Sequence, residues 1–120
     1  MAFPGTYNFN YYRGDTFSFI IRPRDAAGDP FPLEDFDAEF TIADRRGAGT
    51  SIDPIIQYEG TAIVNTVDGI VTCTISDSVG RNLTTERTWV YDVQIDDGAS
   101  VFTLLNGNIT VTDDVTGAVA

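Results

Sequence analysis

The chain has 120 residues, and its eighteen carboxylates face seven cations, giving a formal net charge of −11. That length is one domain's worth, and 42% apolar residues with eight Phe, five Tyr and one Trp furnish a core, which excludes a disordered chain despite the charge. All seven cations are Arg, and a surface this acidic repels phosphate backbones and anionic membranes, so neither nucleic acid nor a membrane is an expected partner.

The first eleven residues read as an N-terminal arm. Met1-Ala2-Phe3-Pro4-Gly5 has neither a basic start nor an apolar run behind it, so no secretory leader is expected and synthesis in the cytoplasm follows. The aromatic side chains of Tyr7, Phe9, Tyr11 and Tyr12 are candidates for contact with a partner. Arg13-Gly14-Asp15 spells an adhesion tripeptide, but before a strand its Gly-Asp pair reads as a turn.

From here alternation with period two recurs. Phe17, Phe19 and Ile21 share one phase; Phe36, Ala38, Phe40 and Ile42 form a second set. Between them Asp25–Asp35 is a loop, because two prolines and a glycine break any ladder. A second loop runs from Arg45 through Arg46 to Pro54. It is Gly-rich and exposed by expectation, and its two Arg join the candidate interface residues.

Val71, Cys73 and Ile75 make a third alternating set. Asp77–Leu83 is the one stretch with helical character, capped by Ser76 or Asp77. Trp89, Tyr91, Val93 and Ile95 form a fourth set, placing Trp89 in the core. Asp68-Gly69 and Asp97-Gly98 are hairpin signals. Near Asn106-Gly107 the apolar phase shifts from Phe102 and Leu104 to Leu105, Ile109 and Val111, which calls for a bulge or a tight turn. The fold class is therefore all-β: a single antiparallel β-sandwich, Ig-like or jelly-roll-like, with seven to nine strands and at most one short helix. A partly closed barrel stays open as an alternative. The sandwich is assigned to 12–116, followed by a C-terminal tail at 117–120.

Chemistry is sparse. Histidine is absent, which removes the commonest general base, triad partner and metal ligand. Cys73 lies on a core phase and reads as a plain core residue; a single Cys also excludes an internal disulfide. The carboxylate pairs Asp35/Asp37, Asp96/Asp97 and Asp113/Asp114 are what eighteen acids produce by chance, and the calcium loop pattern Asp-x-Asp-x-Asp-Gly is missing. No enzymatic activity, no metal and no cofactor are expected.

The segments Tyr12–Phe19, Asp25–Pro30 and Asp68–Ser76, then Trp89-Val-Tyr-Asp-Val-Gln-Ile95, Asp97-Gly98 and Val101–Val111, ending in Asp114-Val-Thr116, stand in an order that resembles a known group. It is similar to the small β-sandwich domains of tailed-bacteriophage virions, in particular the LtfC-like β-sandwich domains of accessory head and tail or fibre proteins. The resemblance implies a non-enzymatic virion protein, and the acidic charge, repelled by packaged DNA, places it on the exterior of the head or on the tail. Its expected role is to cement the head lattice as a minor capsid or decoration protein. Its partners would be the phage major capsid protein or tail proteins, with homo-oligomers inside a symmetric assembly. Two other readings remain open: a tail, baseplate or fibre component, and a stand-alone carbohydrate-binding or adhesin module.

Overall fold

Strand β8 (Thr88–Asp96) is the centre of the molecule, and its sequence explains why. Trp89, Tyr91, Val93 and Ile95 all point inward and are almost wholly buried, while Asp92 and Gln94 lie on the opposite face. A nine-residue alternating strand with that much aromatic and β-branched surface needs partners on both edges. It finds β4 (Asp37–Ala43) on one side and β9 (Val101–Thr112) on the other, both antiparallel.

In the computed structural model, which describes residues 4–45 and 56–113, nine strands form two sheets. The larger contains β1 (Gly5–Thr6), β2 (Phe9–Tyr12), β9, β8, β4 and β5 (Gln57–Glu59). The smaller has the order β3 (Phe17–Ile21), β7 (Ile70–Ile75), β6 (Thr61–Asn65). Facing β3-β7-β6 against β9-β8-β4 reproduces the immunoglobulin-like arrangement of strands B, E, D against G, F, C, so the sandwich is Ig-like in connectivity rather than jelly-roll-like or a closed barrel. β5 and β6 are one run broken at Gly60, where the chain passes from one sheet to the other.

The two sheets are joined through aromatic rings. Phe9 stacks on Phe17 at 4.7 Å between centroids, and Phe19 meets Phe40 edge-on at 5.5 Å. Tyr91 touches Phe9, Phe19 and Phe40 at 5.4–6.0 Å. Offset and edge-to-face contacts of this kind add to what burial alone contributes. A second cluster, Phe31, Phe36 and Phe102, closes one end beneath the connection from β3 to β4.

Most expectations along the chain hold. The helical stretch is a single turn, α1 (Asp77–Gly80). Ser76 is its N-cap, accepting from the Val79 amide at 3.3 Å, and Leu83 packs into the core behind it. The phase shift in β9 is a bulge, not a turn: Val93 faces Leu105 but Gln94 faces Thr103, so Leu104 is the extra residue. The two Asp-Gly signals mark real hairpins, though with four-residue connections, and Gly69 and Gly98 both sit at positive φ.

Two expectations need correction. The sandwich begins at Gly5 rather than Tyr12, because the supposed N-terminal arm is itself sheet. Nor is the pairing antiparallel throughout: β1 and β2 run parallel to β9, register Gly5 to Leu105 and Phe9 to Ile109. The chain enters along the last strand and then crosses to the other sheet at Arg13–Thr16. That crossing is the Gly-Asp turn foreseen in the sequence, with the Asp15 amide bonded to the Tyr12 carbonyl at 3.0 Å and Gly14 at φ +89°.

Candidate docking surface

The N-terminal segment is where the candidate contact residues were expected, and the structure divides them. Phe9 and Tyr11 belong to the core, facing inward on β2, and have no surface left for a partner. That is a correction with a simple cause: Phe9 and Tyr11 alternate with Asn10 and Tyr12, and the apolar phase of a paired strand turns inward. Tyr12 and Tyr7 remain exposed, at 58% and 41%. Arg45 is partly exposed and contacts Asp44 at 3.3 Å; Arg46 lies outside the described residues, as does most of the loop it belongs to.

Two close approaches hold the N-terminal segment in place. At Gly107 on β9, the chain between β1 and β2 presses so near that a Cβ would lie 2.0 Å from the Tyr7 carbonyl oxygen. The Tyr91 hydroxyl donates to that same oxygen, the Tyr7 amide donates to the Asn106 carbonyl at 2.9 Å, and the Asn8 side chain accepts from the Asn108 amide at 2.9 Å. At the other end the Tyr11 hydroxyl donates to the Asp15 carbonyl and lies against Gly80 of α1, where a Cβ would fall 1.6 Å from it. Burial pushes the Tyr11 hydroxyl up to about 12.

Because the first segment is fastened to β9, it does not cover β3. Among the described residues, the outer edge of β3 has no strand beside it, and its residues make no backbone hydrogen bonds beyond the pairing with β7. Alongside this edge, an open cavity of about 410 Å³ is lined by Tyr7, Phe19, Ile20, Ile21, Arg22 and Leu105. Arg22 also lines a neighbouring opening together with Arg24, and both are exposed and without an ion pair to any described carboxylate.

The outer face of the smaller sheet is unusual for so acidic a chain. Ser18, Ile20, Thr72, Thr74, Thr61 and Ile63 lie on it in paired rows, and none is charged. Ile20 and Ile63 are 49% and 61% exposed. By contrast, the outer face of the larger sheet carries Asp37, Glu39, Asp92 and Asp96.

One polar cluster is internal. The Asp44 side chain is 7% exposed and accepts from both Arg45 and Arg87 at 3.3 Å, while its other oxygen has no hydrogen-bond partner. Arg87 also lies over the Trp89 ring at 5.5 Å, and the Trp89 indole donates to the Thr84 carbonyl at 3.0 Å. That last bond fastens the start of β8 to the preceding connection, at the place where a tyrosine performs this job in immunoglobulin domains. Trp89 is thus a buried anchor, with no face free to stack on a sugar ring.

Among the described residues no group of three or more His, Cys, Asp or Glu side chains is placed to hold a metal ion. The Cys73 thiol is fully buried, and desolvation raises it to about 12, which leaves it protonated and inert at neutral pH. No family model matches the chain, and no curated protein matches it in sequence.

Proposed function

We propose that the chain is a non-enzymatic structural component of a tailed-bacteriophage virion, an accessory protein that binds the head lattice from outside and cements it. The observation that carries this reading is the kind of surface the molecule leaves unspent. Among the described residues it offers a bare strand edge, an uncharged sheet face with protruding isoleucines and two exposed tyrosines, where an enzyme or a sugar-binding module offers a polar-lined cleft. Flat and edge-type surfaces suit many modest contacts multiplied by symmetry. The charge of −11 favours the exterior, away from packaged DNA. The resemblance of the Trp89–Ile95 and Val101–Val111 segments to virion sandwich domains supports the same reading.

The test is a count. Purified particles from the source would be analysed by quantitative mass spectrometry against the major shell protein. Copies on the order of hundreds per particle are expected for a head-cementing role. A handful per particle would move the protein to the tail, and its absence from particles would overturn the proposal.

A further inference from the structure

We infer that β3 is a self-association edge: it pairs antiparallel with β3 of a second copy about Phe19, joining two three-stranded sheets into one of six strands. Native sheets protect their edges with proline, charge, bulges, interruption or shortness. The larger sheet does so, since its outer strands are β1/β2, broken at Tyr7–Asn8, and β5, which has three residues. Strand β3 has none of these devices. Phe17-Ser18-Phe19-Ile20-Ile21 is regular, uncharged and free of proline and glycine, with one edge unpartnered among the described residues.

Charge selects the occupant. Pairing about Phe19 sets Phe17 opposite Ile21 of the second copy and Ser18 opposite Ile20, so all five residues overlap and inward faces stay inward. The same register brings Asp15 opposite Pro23 of the second copy, between its Arg22 and Arg24. The Asp15 carboxylate, Arg22 and Arg24 make no ion pair within the chain among the described residues, and the twofold axis supplies the match at both ends of the strand pair. A strand acidic at its start and basic at its end complements itself only when antiparallel, which is the isologous geometry of a twofold dimer.

The other open edge lacks this property. Strand β6 is flanked by Glu59 and Asp68, with Asp35 and Asp37 lining the opening beside it, so a β6 pair would set like charges together. The incoming strand would also cover part of the Tyr7–Leu105 cavity. For two copies carrying −11 each, the uncharged face and basic end of this sheet are where approach meets least repulsion.

This pairing stands apart from the virion reading: a failure here would leave the particle count untouched. The full chain would be studied by sedimentation velocity from low micromolar concentration to its solubility limit. A monomer–dimer equilibrium is expected, with those alternate amides of Phe17–Ile21 that face away from β7 gaining hydrogen-exchange protection as the dimer fills. The double variant Arg22→Glu/Arg24→Glu should weaken the dimer by at least about tenfold, and adding Asp15→Arg should restore it. Circular dichroism and thermal melts would confirm that each variant folds. A monomer at every concentration, a dimer indifferent to the charge reversal, or growth beyond two copies through β3–β6 contacts would each overturn the inference.

Discussion

Replacing Gly107 with alanine would test whether the N-terminal segment is fastened as the geometry indicates. The added methyl would stand 2.0 Å from the Tyr7 oxygen, 2.7 Å from its carbonyl carbon and 3.1 Å from the Asn8 side-chain oxygen. The two nearest of these atoms are backbone and cannot swing aside as the Asn8 side chain could, so the Tyr7–Asn8 junction must lift. Three hydrogen bonds go with it: Tyr91 to Tyr7, Tyr7 to Asn106, and Asn108 to Asn8. At roughly 0.5–1.5 kcal/mol each, the loss is about 1.5–4.5 kcal/mol. For a domain of this length that lowers the Tm by about 6–18 °C. Thermal melts followed by Trp89 fluorescence would measure it, and hydrogen exchange would locate the loosening at residues 5–12. Tyr91→Phe alone should cost about 1 kcal/mol, and it should add little to Gly107→Ala, because the bond it removes is already broken. A Gly107→Ala protein that melts with the parent would refute the reasoning.

The remaining expectations concern buried groups. Tyr11 and Cys73 are both raised to about 12, so the fold holds their neutral forms; their stabilising contribution is complete at neutral pH and is lost as pH rises toward 12. Denaturant midpoints should fall between pH 9 and 12, and Tyr11→Phe should flatten the slope above pH 10; an unchanged slope there would count against Tyr11 as its source. Arg87→Ala removes one of the two cations at the buried Asp44 carboxylate and the contact over Trp89. With Arg87 partly exposed, a loss of about 1–2 kcal/mol is expected in urea unfolding, and no measurable loss would show that Arg45 alone satisfies Asp44.

The strands that the sequence made legible are those whose alternation is strong on its own. Trp89–Ile95, Val71–Ile75 and the Phe40–Ile42 region fall on the inward phase as expected, and so does the bulge that reconciles Leu104 with Leu105. Strand β6 was hidden because its outward Ile63 and inward Ala62 invert the usual polarity of the pattern. Strand β2 carried a readable signal in Phe9 and Tyr11 alternating with Asn10 and Tyr12. Four residues beside an uncapped terminus nevertheless do not announce a parallel partner one hundred positions later. The fastening points were invisible for the same reason: nothing local distinguishes Gly107 or Gly80 from a turn glycine until Tyr7 and Tyr11 are seen pressed against them.

Those two glycines bear directly on what the surface can do. In an immunoglobulin-type sandwich the first strand can lie on either sheet, and lying beside B covers that edge. Here Gly107 admits the Tyr7 carbonyl and Gly80 admits the Tyr11 hydroxyl, so the segment closes the β9 edge from Gly5 to Tyr12. One sheet thereby gains a finished edge, and among the described residues β3 is left as the bare edge of the other. The exposed strand is thus a consequence of where β1 and β2 are seated, and any change that frees that segment also offers β3 a competing partner from within its own chain. Gly107→Ala should therefore weaken pairing between copies as well as the fold, whereas the Arg22→Glu/Arg24→Glu reversal should weaken pairing alone.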